Sequence, residues 1–220
     1  MSVARLLSVQ VGLPAQRGIV GASDPMESAW SSAIFKEPVD GPIRLRLTNL
    51  AGDGQADLTV HGGPEKAVLA YSGDHYPAWR ADLGVDEMGP GAFGENFTVT
   101  GLAEGDVCIG DTFAIGGARV QVSQPRAPCW KLARKWRLPD LPKRVAQTGR
   151  TGWYFRVLRE GLVESSQLLE LVERPHPRFT IARVNAAAYG SSEEDGSLAP
   201  ELAACPLLSL GWRRSFAEKG

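Results

Sequence analysis

Cysteine, histidine and methionine each occur only three times in 220 residues. The cysteines, Cys108, Cys129 and Cys205, are odd in number and form no C-x-x-C pair. This argues against a disulfide framework and points to a reducing cytoplasm. The three histidines are too dispersed for a histidine-rich metal centre. A zinc site gathered from His61, His75, Cys108 and Cys129 would match no zinc-binding spacing. No apolar run approaches the roughly 20 residues of a membrane span. Residues 1–14 alternate polar and apolar side chains and lack the apolar stretch of a signal peptide, so no membrane role is expected. G-x-G-x-x-G, P-loop and G-x-S-x-G signatures are all missing, which removes the commonest nucleotide sites and a serine-hydrolase elbow. No internal repeat is visible.

What is abundant is turn chemistry. There are 25 glycines and 15 prolines, as in folds of many short strands. Period-two alternation predicts strands at residues 3–11 (Leu7, Val9 and Val11 on one face), 43–47, 97–100, 153–158 and 168–172, with a short strand at 57–60. The clearest hairpin runs from Phe113 and Ile115 through Gly116-Gly117 to Val120 and Val122. Asp74 is placed to cap a short helix ending at Leu83. Residues 180–189, 198–204 and 212–219 read as three helices, with Gly190 and Ser209 as caps. That suggests a β domain over residues 1–174 and a helical domain over 175–220. Three helices invite a DNA-binding reading, but residues 176–220 carry five basic and five acidic side chains, which leaves no footprint for phosphate. The acidic run Glu193-Glu194-Asp195 reads as a solvated loop.

Chemistry concentrates around Cys129, in Gln124-Pro125-Arg126-Ala127-Pro128-Cys129-Trp130-Lys131. An alternating segment runs in and a helix-like segment runs out. Cys129, Leu132, Ala133 and Trp136 share one helical face. A thiol at a helix N-terminus among cations is favoured as thiolate, the form that binds soft metals. A buried structural cysteine accounts for the position equally well. Nine Lys or Arg residues and only one acid fall between Arg119 and Arg150, so this segment carries +8 in a chain of net charge −1. That favours an anionic ligand near Cys129. Two further loops, His61-Gly62-Gly63-Pro64 and Gly94-Glu95-Asn96, have the glycine content that lets a backbone approach a ligand, and equally that of plain tight turns. Lys66 suits an anion contact, a Schiff base or an exposed ion pair. Arg126 faces either a ligand or a carboxylate such as Glu95.

The ordered set of these loops resembles the MOSC-domain proteins of the bacterial YiiM type. The resemblance rests on His61-Gly62-Gly63-Pro64-Glu65-Lys66-Ala67, Pro90-Gly91-Ala92-Phe93-Gly94-Glu95-Asn96, Val107-Cys108-Ile109-Gly110-Asp111, residues 122–129 and Thr148-Gly149-Arg150-Thr151-Gly152-Trp153-Tyr154. MOSC denotes the C-terminal domain of molybdenum cofactor sulfurase. The resemblance implies a mainly β fold: a closed, pyruvate-kinase-like β-barrel with peripheral helices and a small C-terminal three-helix appendage. It implies a molybdenum–pterin cofactor, with Cys129 as metal ligand and catalytic residue, and no pyridoxal phosphate. Cofactor contacts are expected from His61, Gly62, Gly63, Lys66, Gly94, Glu95, Asn96, Gln124, Arg126 and Lys131. The implied activity is reduction of small N-hydroxylated compounds such as N-hydroxylated bases and amidoximes, with electrons from a separate reductase. The alternative is a non-catalytic carrier of molybdenum cofactor, or of sulfur as a Cys129 persulfide.

Overall fold

A computed structural model describes residues 3–190 and 197–218. The acidic run Glu193-Glu194-Asp195 lies outside the described residues. Twelve strands are present among those described: β1 (Arg5–Val11), β2 (Ala15–Arg17), β3 (Trp30–Ser32), β4 (Glu37–Pro38), β5 (Ile43–Leu45), β6 (Val68–Ser72), β7 (Phe97–Thr100), β8 (Thr112–Ile115), β9 (Ala118–Pro125), β10 (Trp153–Arg159), β11 (Gly161–Val163) and β12 (Glu170–Glu173). The helices are α1 (Tyr76–Leu83), α2 (Trp130–Trp136), α3 (Leu141–Thr148), α4 (Ile181–Tyr189), α5 (Ala199–Ala204) and α6 (Leu210–Ala217).

Eight strands form one curled sheet in the order β12-β8-β9-β10-β6-β7-β1-β4. Its pairs are antiparallel except β6–β7, whose parallel register is reached by the crossover through α1. The expectation of a closed barrel is corrected here. The sheet is an open half-barrel with β12 and β4 at its edges. Residues 166–169 reach β1 through the single Arg5–Leu168 bridge and three backbone hydrogen bonds, not through a continuous ladder. Each edge resists extension. Pro38 in β4 has no N–H to offer, and β12 ends in exposed Glu170 and Glu173.

The hairpin over Gly116-Gly117 forms as its alternation predicts, and Phe113, Ile115, Val120 and Val122 are all buried in the main core. The first strand is out of phase with expectation. Leu7 is exposed while Leu6 and Val9 are buried, because the β1–β7 register shifts between Leu6 and Ser8. One extra residue in a bulge turns the following side chains to the opposite face. Residues 57–60 are a turn and not a strand. The Asp57 carboxylate accepts from the Thr59 N–H and hydroxyl, and the His61 N–H returns to the Asp57 carbonyl. Asp74 does not cap α1. It accepts from Thr100 and Gly101, and a 3-10 turn at Gly73–His75 leads into the helix. In the C-terminal part Thr180 caps α4 by accepting from the Arg183 N–H, Gly190 is its C-cap, extended and donating its N–H to the Ala186 carbonyl, and Ser209 holds the N-cap position of α6 without a side-chain capping bond.

Two apolar clusters hold the molecule. The main one fills the concave side of the sheet and continues into Ile181, Val184, Leu202, Leu208 and Phe216 of the C-terminal helices. The second lies beneath α1, α2 and α3, where Tyr71 stacks on Phe93 at 4.3 Å beside Trp79, Leu132 and Leu141. Gly152 joins the second cluster to the sheet. Its N–H donates to Glu104 at 2.8 Å and its carbonyl accepts from the Arg126 N–H at 3.0 Å. It sits at φ 74°, and a Cβ there would run into the Ala70 carbonyl oxygen. Positive φ alone costs a non-glycine residue roughly 1–2 kcal/mol. With the backbone clash added, Gly152→Ala should lower unfolding free energy by about 3 kcal/mol in urea. A loss within about 0.5 kcal/mol would show that this turn relaxes freely.

Candidate functional site

The segment 124–129 leaves β9 only after Pro125 has paired with Trp153 on β10. It then runs extended to Cys129, the N-cap residue of α2. Pro128 cannot donate a backbone hydrogen bond, so the chain does not turn into the helix until Trp130. Cys129 is half-buried and opens into a cleft with an enclosed volume of about 90 Å3. The same cleft is lined by His61, Gly62, Lys66, Gly94, Asn96, Arg126 and Lys131. Residues separated by up to 70 positions in sequence therefore share one concave wall.

Three expected contacts lie elsewhere. Gly63, at φ 83°, caps the 3-10 turn at Pro64–Lys66 behind the cleft. Glu95 is fully buried, and its carboxylate accepts from the Gly91 and Phe93 N–H groups, the Thr98 hydroxyl and the Tyr76 phenol. Gln124 lines a neighbouring basin of about 630 Å3 that meets the cleft at Lys66 and Ala127. Residues the sequence did not single out also reach the cleft: Lys36 and Asp53, which pair with each other, and Tyr154. Lys36 comes from a turn-rich stretch without periodicity. Tyr154 is only the last residue of the Thr148-Gly149-Arg150-Thr151-Gly152-Trp153-Tyr154 motif, with no signal of its own. Burial pushes its phenol up, so the hydroxyl is protonated and able to donate at neutral pH.

The cleft is cationic. Lys66, Arg126 and Lys131 have no carboxylate partner within 4.0 Å among the described residues. Arg126 is buried and donates through one Nη to the Phe93 carbonyl, while its other Nη has no partner. The two alternatives for Arg126 are thus resolved: it does not pair with Glu95. His61 Nδ1 is likewise buried without a partner. Desolvation, then the positive charges of Lys131 and Lys66, pushes the His61 pKa down to about 4, so the ring is neutral. Four other cations of the 119–150 segment are engaged in contacts within the fold. Lys135 donates to the Ile34 and Gly91 carbonyls, Arg134 to Ser28, and Arg144 and Arg150 pair with Asp140 and Asp82.

Orphaned buried donors beside unpaired cations are the pattern left by a site built for an anion. The thiol and the imidazole add soft and borderline donors. Among the described residues no cluster of three or more His, Cys, Asp or Glu side chains is placed to hold a metal ion. Among them, too, no helix is long and apolar enough to cross a membrane.

The His61 environment has a testable consequence. Its folded pKa lies below the value of about 6.5 in an unfolded chain, so the unfolded state binds more protons between those limits. Stability is highest above pH 6.5 and falls as pH drops toward 4. An NMR titration should place the His61 midpoint near 4, and His61→Gln should flatten the stability profile in that window. A midpoint at or above 6.5 would contradict the buried, cation-flanked ring.

Comparison with known proteins agrees with this geometry. Residues 57–168 match the MOSC domain family. The chain is 44% identical over 188 residues to the uncharacterized protein YflK of Bacillus subtilis, covering 86% of this chain and 84% of that protein. It is 41% identical over 157 residues to a protein named Reductase from Gibberella moniliformis, covering 70% of this chain and 28% of that one. The crystal structure of YiiM from Geobacillus stearothermophilus superposes with a TM-score of 0.79 at 38% identity, over 98% of each chain. The matched span holds the cleft wall from His61 through Tyr154, and the chain therefore belongs to the MOSC-domain family.

Proposed function

We propose that this protein is a molybdenum-cofactor-dependent oxidoreductase that reduces small N-hydroxylated compounds, taking electrons from a separate reductase. The observation that carries the reading is the half-buried Cys129 thiol in a cleft with three cations that have no carboxylate partner, although Lys66 and Arg126 donate to the Val60 and Phe93 carbonyls, and with two orphaned buried nitrogens. The residues present fit the cofactor. Cys129 would bind the metal, because a thiolate suits molybdenum better than a carboxylate does. Arg126, Lys66 and Lys131 would hold the anionic phosphate and dithiolene end. The membership in a family named for molybdenum cofactor sulfurase, and the relative named Reductase, support the same reading.

When bound, the cofactor supplies two-electron chemistry that protein side chains lack. The chain supplies the rest. Neutral His61 leaves Nδ1 available without adding charge to the cleft. The protonated Tyr154 hydroxyl is a hydrogen-bond donor at the wall, suited to meet an oxygen leaving as water. The carrier alternative uses the same thiol but requires no turnover.

The cysteines discriminate between these readings. Cys108 is buried, and burial together with Asp111 pushes its thiol up, away from thiolate. Cys205 is buried in the main core. In protein from a host that makes molybdenum cofactor, with an artificial electron donor, Cys129→Ser should abolish reduction of amidoximes and N-hydroxylated purines. Cys108→Ser and Cys205→Ser should retain the activity per folded molecule. Full turnover by Cys129→Ser at unchanged molybdenum content would remove Cys129 from the chemistry. A wild-type protein that retains cofactor without turnover would favour the carrier.

A further inference from the structure

The fold leaves large apolar side chains uncovered at the mouth of the cleft. Leu13, Leu58, Val60 and Trp130 are each more than half exposed. They come from three separate parts of the chain, yet all stand at one rim. Leu58 and Val60 lie in the turn between Ala56 and His61, which are both residues of the cleft wall. Leu13 Cδ2 lies 3.4 Å from where a Cβ on Gly54 would stand, and Gly54 lines the cleft. Trp130 directly follows Cys129. Single exposed apolar residues need no explanation, but several gathered at one place mark an interaction surface.

The same rim is cationic. Trp130, Arg134 and Arg137 follow one another at i, i+4 and i+7 along α2 and its C-cap. The Arg134 guanidinium lies 5.7 Å from the Trp130 ring centroid, and the Lys131 ammonium lies 6.0 Å from it. Trp30 meets Trp130 with ring centroids 5.5 Å apart, so the exposed indole is held by its neighbours. Two carboxylates answer these cations. Glu27 stands 3.7 Å from Arg137, whose side chain is 82% exposed, and Asp57 lies within electrostatic reach of Lys131. With Lys66 and Arg126 just inside, positive charge is in excess at this face of a chain whose net charge is −1. Tryptophan and arginine are the side chains that most often anchor protein interfaces.

A second copy of this chain is a poor occupant, because an isologous contact would set these cations against one another. The chemistry of the proposed function supplies a better one. Reducing N–OH to N–H consumes two electrons and two protons and releases water, and the electrons arrive from another protein. We propose that this rim is the docking surface for that electron-donating protein, which meets it through an acidic face around an exposed redox group. The donor is oxidised by two electrons, the protons come from water, and Trp130 is the central anchor of the contact. Electron transfer weakens steeply with distance, and a donor seated on Trp130 stands at the cleft mouth beside Cys129. The identity of the partner rests on the proposed function, whereas the surface rests on the rim itself.

Two small acidic carriers, flavodoxin and a plant-type ferredoxin, are titrated into isotope-labelled, full-length protein and followed by NMR. Amide shifts should concentrate in residues 57–61 and 130–137. Affinity should fall as salt rises from about 0.01 M to about 1 M, where the screening length shrinks from about 30 Å to about 3 Å. Trp130→Ala should weaken binding about tenfold or more, and Arg137→Glu about fivefold. Both side chains are largely exposed, so the circular dichroism spectra should match the wild type. In cofactor-loaded protein, both variants should raise the KM for the reduced carrier by the same factors. Turnover driven by a small viologen, which needs no docking surface, should be unchanged. Failure of both carriers to bind, shifts confined to another face, or undiminished binding by both variants overturns the proposal. Self-association that Trp130→Ala abolishes would also overturn it, by assigning the rim to a second copy. Carriers that bind at the rim of a wild-type protein inactive with viologen would sink the proposed function and leave the docking surface standing.

Discussion

The buried carboxylate of Glu95 is the constraint on which the cleft depends. A carboxylate withdrawn from water must be surrounded by donors. Here two are backbone N–H groups of its own loop, at Gly91 and Phe93, and two are hydroxyls, of Tyr76 and Thr98. Turning those N–H groups inward turns the loop carbonyls outward. Gly91, Ala92 and Phe93 then accept from Lys135, from the Trp136 indole and from Arg126. One buried charge thereby orients a loop, docks α2 through that loop, and holds the guanidinium beside the Cys129 cleft. Glu95 has an indirect role here: it shapes the groups that line the cleft without lining it.

The same arrangement explains how the cationic segment 119–150 divides its work. Lys135 is half-buried and its pKa is pushed down to about 8, chiefly by desolvation, with the Glu95 charge opposing. It joins α2 to two backbone carbonyls. Arg144 and Arg150 are neutralised by neighbouring acids. Only Arg126 and Lys131 of this segment face the cleft, where Lys66 joins them from the other wall. A segment charge of +8 therefore overstates the charge of the site, because sequence position does not tell which cations are already satisfied.

The sequence exposed elements whose signal is local. The Gly116-Gly117 hairpin was legible because alternation and turn chemistry agree within a dozen residues. Cys129, His61, Lys66, Arg126 and Lys131 were legible because reactive and cationic side chains stand beside glycines and prolines. What escaped depends on distant partners. The phase of β1 is set by a bulge opposite β7, and the turn at Asp57 by a side chain competing with the backbone. The closed barrel was what the family resemblance implied; alternation reports strands and carries no signal for whether the outermost two, β12 and β4, meet. Glu95 reads like its neighbours in a glycine-rich loop, and only the fold shows it facing Tyr76 and Thr98. Lys36 and Asp53 come from segments with no periodicity at all.

The central claim is that the Cys129 sulfur binds the metal in a cleft otherwise built for an anion. The most direct measurement is molybdenum X-ray absorption on protein expressed with cofactor, comparing the wild type with Cys129→Ser at equal metal content. The account predicts one sulfur neighbour fewer around molybdenum in the variant. An unchanged sulfur shell would contradict it and leave Cys129 a structural residue at the head of α2.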